Sequence, residues 1–258
     1  MTDGTTVLNA ARDAYRRTAF YRDLYGTEPT TVEEVPFISF VEYHHARGTA
    51  DCIDHTHQLI SYIPPYHRNV RRFPFTIVES EDDLEARQER VVKALEDIGL
   101  PSGCGKRVLI VTDDAHGPFA CDMEAGLGWE YLPASIWYWN GHGEDLQQQL
   151  DAHKPELIVW CLPESPPPLI PQARERLLLI HHLDRPVPAV GLKTWLFTDE
   201  ANLIASRPDD REVFDIDRTQ YAVEVDPRSG LPHITTIEPR TMPLVRYAIE
   251  HPIPGWEA

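Results

Sequence analysis

Basic residues are scarce: 24 Lys and Arg stand against 41 Asp and Glu, a formal net charge of -17 over 258 residues. Nucleic-acid affinity rests on clustered cations that neutralise phosphates, so this deficit argues against an RNA or DNA partner. The one basic knot, Arg68, Arg71 and Arg72, reads as a solvated face. Cysteine is thin as well: Cys52, Cys104, Cys121 and Cys161 form no C-x-x-C pair, which suggests neither a zinc knuckle nor a disulfide framework. No run approaches the roughly 20 consecutive apolar residues of a membrane span, and the N-terminus lacks the apolar core of a signal peptide. No G-x-S-x-G elbow occurs, which disfavours a serine hydrolase of the common α/β kind. These absences predict a cytoplasmic protein with reduced thiols, no membrane association and no metal.

What is present is an ordinary globular composition, 42% hydrophobic and 25% charged, in a chain long enough for a sizeable core. Three regions are expected within one structural domain: a helical and loop region over 1–70, an α/β core over 71–200, and a hairpin-rich β element over 201–258. Val7, Leu8, Ala11, Tyr15, Ala19 and Tyr21 form a rough helical stripe that stops at Gly26. Residues 51–70 read as a turn-rich connection.

From residue 73 the pattern becomes more regular. A strand over 75–78 runs into a helix over 81–99, with Ser80 as N-cap, Asp83 bonding back, and Leu84, Val91, Leu95 and Ile98 as its buried stripe. The apolar run 107–113 has the length and continuity of a strand covered on both faces. A helix near 118–130, a strand over 134–139, a helix over 144–153 and a strand over 156–162 then alternate as in a layered α/β sheet. The proline-rich stretch 163–172 is a connector. Beyond it the spacing predicts a helix over 174–183, one or two strands over 189–197, a hairpin around the "DPRSG" turn at 226–230, and a further strand over 241–249.

Three segments, in this order, resemble the adenylate-forming superfamily, and most of all its phenylacetate-CoA ligase branch. They are "AYRRTAFYRDLYG" with "VEEVPFISFVEYHHA", the stretch from "HGPFACDMEAGLGW" to "KPELIVWCLP", and "YAVEVDPRSGLPHITTIEPRTMPLVRYAIEHP". The resemblance implies a cut-down large N-terminal domain of that family, a layered α/β sandwich with a small β element near its C-terminal end.

The departures fall on the residues that carry the family's chemistry. A loop of the type "SSGTTGKP" should precede the helix at Glu81, where glycines let backbone amides approach phosphates. Here the run is "NVRRFPFTIVES", without glycine. The family's "RYRTGD" phrase corresponds to "RYAIEH": Arg246 and Tyr247 remain, and His251 stands where the ribose-binding Asp would be, unless the register shifts to Glu250. The "YGxTE" phrase is matched weakly by "WLFTDE", leaving Thr198 and Glu200. The chain also ends soon after the "RY" phrase, so the resemblance implies no mobile C-terminal domain with its catalytic Lys. Together these imply no ATP-dependent adenylation and no cofactor, and the Cys-rich cluster of the branch's metal-binding version is absent from 200–225.

Among other candidates, the pairs His44–His45 and His181–His182 are poor two-ligand sites, because adjacent residues face different ways. His55 and His57 lie in a loop-like stretch. More promising is "TDDAHGPF", residues 112–119, at the end of a buried strand where open α/β sheets gather ligands. Asp113 or Asp114 would orient His116 as a general base. In the related ligases this position borders the acyl or aryl pocket, so Phe119, Trp137 and Trp139 are its expected walls, with Glu200, Arg246 and Tyr247 as further substrate-binding residues. Arg246 would serve as an anion or oxyanion partner. Trp129, Tyr131, Trp137, Tyr138 and Trp139 suit an aryl cavity, and equally a core or a subunit interface, which leaves a homo-oligomer open. Cys121 near a helix start reads as a buried inert thiol.

The expected function is ATP-independent handling of an activated acyl or aryl carboxyl compound, such as a CoA or carrier-protein thioester, by acyl transfer, cyclisation or condensation in specialised metabolism. The alternative is a catalytically inactive partner subunit that uses the ligase fold as a docking surface.

Overall fold

The computed structural model describes residues 4–45, 49–54, 59–63, 77–101, 103–113, 133–162, 175–183, 192–198, 200–208 and 213–254, with Ala120, Met123, Glu124, Leu127, Pro166, Val187 and Trp256. Most of the expected helix over 118–130, the proline-rich connector, the stretch 64–76 and residues His55, His57, Asp114, His116, Phe119, Cys121, Trp129 and Tyr131 lie outside them.

The N-terminal stripe folds as two helices, α1 (Gly4–Arg17) and α2 (Ala19–Tyr25). Thr18 separates them, its extended backbone and its hydroxyl capping Tyr21 N of α2. Gly26 ends α2 at φ 69, a left-handed geometry that glycine adopts without steric cost. A short helix, α3 (Phe40–His45), follows.

Strand β1 (Leu59–Ile63) pairs antiparallel with β2 (Ile77–Ser80), so the region read as a turn-rich connection contains a strand. β2 runs directly into α4 (Glu81–Asp97) through a capping box: the Ser80 hydroxyl accepts from Asp83 N, and the Asp83 carboxylate accepts from Ser80 N.

The central sheet has seven strands in the order β4-β3-β5-β6-β7-β8-β9. Its members are β3 (Val108–Thr112), β4 (Ala134–Tyr138), β5 (Leu157–Trp160), β6 (Leu177–His182), β7 (Lys193–Thr198), β8 (Asn202–Arg207) and β9 (Asp215–Ile216). β3 to β7 are parallel, β8 runs antiparallel to β7, and β9 antiparallel to β8. Helix α5 (Gly143–His153) joins β4 to β5. A second sheet holds β10 (Tyr221–Val225), β11 (Pro232–Thr236) and β12 (Tyr247–Ala248).

Residue alternation sets the layers. Val108, Ile110, Leu157, Val159, Leu178 and Ile180 face Ala94 and Leu95 of α4, while Leu109, Val111, Ile158, Trp160, Leu177 and Leu179 face Leu146 of α5. A parallel sheet covered on both faces accounts for the unbroken apolar runs. A third cluster unites α1, α2, the small sheet and Leu196, Ile204 and Ala205 of the central sheet, so the two ends of the described chain share one core.

Two expectations need correction. The run over 174–183 is strand β6, not a helix: its leucines alternate between the two layers, and burial on both faces overrides the helix preference of Arg, Glu and Leu. The strand expected over 241–249 shortens to Tyr247–Ala248. Strands β8 and β9 were not anticipated.

Candidate functional site

The chain passes from β3 to β4 on one side and returns past β3 to β5 on the other. That reversal is a topological switch point, and crevices for ligands open at the C-terminal strand ends beside it. Asp113 follows the last residue of β3, half-buried, beyond the fully buried Thr112. Trp139 N donates to Thr112 O at 2.7 Å and Cys161 N donates to Val111 O at 2.9 Å, so the neighbouring strands extend alongside it.

Register relates further groups to it. Val111 pairs with Trp160, and Trp160 with Leu179; Asp113, Leu162 and His181 each lie two residues beyond these last paired positions, at the same end of the sheet. The alternation that sends Leu109, Val111, Leu177 and Leu179 to the α5 layer carries Asp113 and His181 towards that layer too. Trp137 and Trp139 lie there as well, and Trp139 meets Trp160 edge to face at 4.8 Å. The Trp139 indole donates to His142 O at 3.2 Å, which fixes the ring as a wall. His182, one residue on, is buried and lies 6.5 Å from the Phe197 ring.

His181 is the group that sequence reasoning set aside. The discount applied to it as half of an adjacent pair. The signal that was there is its position at the end of an apolar run of strand length, parallel to that of β3.

The other expected site residues lie elsewhere. Arg246 is buried at φ 47 between the N-terminal segment and the small sheet. Its guanidinium donates to both Glu224 carboxylate oxygens at 2.9 and 2.7 Å and to the carbonyls of Val32 and Val35, and it covers the Phe37 ring at 4.5 Å. Tyr247 is buried against Tyr43, with ring centroids 5.5 Å apart. Tyr247 belongs to the core that joins the chain ends, whereas Trp137 and Trp139 belong to the α5 layer.

Glu200 sits in the β7–β8 turn, where Ala201 N donates to Thr198 Oγ1 at 2.9 Å. It borders a crevice of about 10 Å³ with Glu79, Asp83, Arg90, Asn202 and Arg240. Asn202 Nδ2 donates to Glu79 Oε1 at 3.1 Å, Arg87 lies 3.4 Å from the other Glu79 oxygen, and Arg240 donates to Tyr221 OH and Ala201 O. Burial raises the Glu79 carboxyl above its ordinary range, against the opposing pull of Arg87. A volume of this size holds a single water.

Burial also pushes the Cys52 thiol up to about 12, which makes it inert. Among the described residues no group of three or more His, Cys, Asp or Glu is placed to hold a metal ion, and no helix is long and apolar enough to cross a membrane.

No protein-family model and no curated protein matches the chain. Solved structures do. A 2-hydroxyisobutyryl-CoA ligase bound to 2-HIB-AMP and CoA in the thioesterification state superposes with a TM-score of 0.67 at 14% identity, covering 95% of this chain. The chain shares its fold with the matching part of this CoA ligase. An open conformation of the ligase, with the same ligands, also gives 0.67, and its postadenylation state with R3-HIB-AMP gives 0.65. The chain spans 62% to 64% of the ligase's length in these structures. The likeness covers the parallel-dominated sheet and the small C-terminal sheet, as the resemblance implied.

Proposed function

We propose that this protein is a non-adenylating relative of acyl-CoA ligases that acts, without ATP, on an already activated acyl or aryl compound such as a CoA or carrier-protein thioester. The observation that supports this reading is the switch point, where Asp113 follows β3 and His181 lies near the end of β6, beside the layer that holds Trp137 and Trp139. Asp113 orients an imidazole, His181 or His116, which takes a proton from the attacking group as that group bonds to the acyl carbon, and returns it to the thiolate that leaves as the thioester C–S bond breaks. Trp137 and Trp139 wall the acyl or aryl portion. Arg246 has no part in this chemistry, since its guanidinium is committed to Glu224 and two carbonyls.

Independence from ATP is supported by two features. The run before α4 has no glycine to cradle a phosphate. The crevice at Glu200 is filled by charged side chains of the protein itself.

The test pairs two assays. With phenylacetyl-CoA as probe and no nucleotide, thiol release is expected, falling about 100-fold or more in either His181→Ala or His116→Ala, whichever is the base. Micromolar binding of ATP with magnesium by calorimetry, or thioester formation that requires ATP, would overturn the reading. So would turnover unchanged in both variants.

A further inference from the structure

We propose that Glu79 is a proton-operated latch between β2 and the β7–β8 turn, one that tightens as the solution turns mildly acid and is looser at neutral pH. The inference rests on no part of the acyl-handling reading. Glu79 is the one acid of β2, a strand buried along its whole length, and is itself 5% exposed. Its Oε1 accepts from Asn202 Nδ2 at 3.1 Å, a bond between residues 123 positions apart. Asn202 is the first residue of β8 and sits at φ 62, in the left-handed region that asparagine tolerates better than most residues. Glu79 therefore holds the residue on which the turn closes.

The second carboxylate oxygen is poorly matched. Oε2 is buried without a hydrogen-bond partner among the described residues, and Arg87 Nη2 lies 3.4 Å away, beyond the roughly 2.7–2.9 Å of a charge-assisted bond. The crevice that Glu79 borders encloses about 10 Å³, room for one water at most, so solvent cannot make up the shortfall. A buried carboxylate in that setting carries a desolvation cost that its neutral acid does not.

The surrounding charges leave that cost in place. Helix α4 brings Asp83, Arg87 and Arg90, the β7–β8 turn brings Glu200, and the segment after β11 brings Arg240. In β1, which pairs with β2, the titratable residue is Tyr62, opposite Val78. Arg240 donates to Tyr221 OH and Ala201 O, and Arg90 to Gln220 Oε1, rather than to Glu79. Asp83 and Glu200 add two acids to the same crevice.

The direction of the response follows. Burial is the largest influence on the Glu79 carboxyl and raises its pKa, with Arg87 and then the Asn202 bond opposing. A carboxyl whose folded pKa stands above its unfolded one binds more protons folded than unfolded. Its penalty is whole above the folded pKa and is lifted as pH falls through that value towards the ordinary 4.5. The neutral acid keeps an acceptor for Asn202 and gains an O–H donor in a crevice bordered by other carboxylates. Protonation thus strengthens the contact between β2 and the turn.

NMR titration of the full chain from pH 8 to 4 tests the proposal by following the Glu79 carboxyl carbon and the Asn202 side-chain amide. The carboxyl midpoint is expected above 4.5, with the Asn202 amide moving at the same midpoint. Hydrogen exchange, corrected for intrinsic rates, is expected to show several-fold greater protection of the 77–80 and 202–203 amides at pH 5 than at pH 8. Glu79→Gln, neutral at every pH, is expected to hold the higher protection at both. Arg87→Gln is expected to move the midpoint upward. A midpoint at or below 4.5 overturns the proposal, as does an Asn202 amide that does not follow it or protection equal at the two pH values. If Glu79→Gln does not fold, the parent titration and Arg87→Gln decide. Titration and thioester turnover are separate readouts, so either reading can fail alone.

Discussion

Arg246 joins three parts of the chain that lie far apart in sequence. Its bonds to Val32 and Val35 span 214 and 211 positions, and its pairing with Glu224 spans 22. Its backbone sits in the left-handed region, which a long side chain occupies only when its surroundings hold it there. Removing the cation strands Glu224, and removing the anion strands the cation in a largely buried place. Arg246→Met and Glu224→Gln are each expected to cost about 3 kcal/mol in urea unfolding, with turnover per folded molecule unchanged. A loss of turnover at full stability would restore Arg246 to the active site. No pattern of spacing announces such a role, because the partners that define it are distant in the chain.

His233 adds a pH dependence at the same scale. It is buried against the Phe37 ring at 4.8 Å, and burial lowers its pKa from the ordinary value of about 6.5, against weaker upward pulls from the Leu231 carbonyl, Asp226 and Glu224. A histidine with a lowered folded pKa binds fewer protons folded than unfolded. Its contribution is therefore whole above about 6.5 and is lost as pH falls through that value towards the folded pKa. Glu79, whose pKa is raised, acts in the opposite direction. Thermal unfolding between pH 7.5 and 5 should show Tm falling with pH in the parent and falling less in His233→Asn. A steeper fall in the variant would contradict this.

Among the elements, α4 and the hairpin β10–β11 were legible because their signals are local. A capping box spans four residues, and the "DPRSG" turn fixes its own register through Asp226, which accepts from Arg228 N and Ser229 N. β3 and β5 were legible as continuous apolar runs. β6 was not, since "RERLLLIHHL" carries strong helix formers and only its position between β5 and β7 makes it a strand. Asp113 was visible from strand periodicity, while Glu200, Arg246 and Tyr247 came from resemblance and the fold disperses them.

The capping box has a tertiary extension: the Asp83 carboxylate also accepts from Thr241 N at 3.1 Å. Ser80→Ala should cost about 1 kcal/mol, as a lost cap does. Asp83→Ala should cost more, because it also frees the 241 turn. Chemical denaturation of the two variants gives the comparison, and equal losses would show that the Thr241 bond contributes nothing.

At the scale of the whole molecule, the described chain closes on itself. Tyr21 OH donates to Pro243 O at 3.2 Å and accepts from Val245 N at 2.9 Å, and Tyr43 OH donates to the same Pro243 carbonyl. Ile38 exchanges backbone bonds with Arg246 and Ala248 at 2.9 Å, and Arg17 reaches Asp54 and the Arg240 carbonyl. The small sheet therefore has no separate core: its Tyr221, Ile234 and Tyr247 share one with α1 and α2 on one side and with Leu196, Ile204 and Ala205 on another. Such sharing predicts one cooperative unit, in which a cavity made at one end of the chain loosens the other. Tyr21→Ala, at a fully buried aromatic, should cost about 3 to 5 kcal/mol. In native-state hydrogen exchange, the amides of α1 and α2 and those of β10 and β11 should lose protection by the same free energy. Loss confined to α1 and α2, with the hairpin amides unchanged, would mean that the N-terminal helices open as a separate flap.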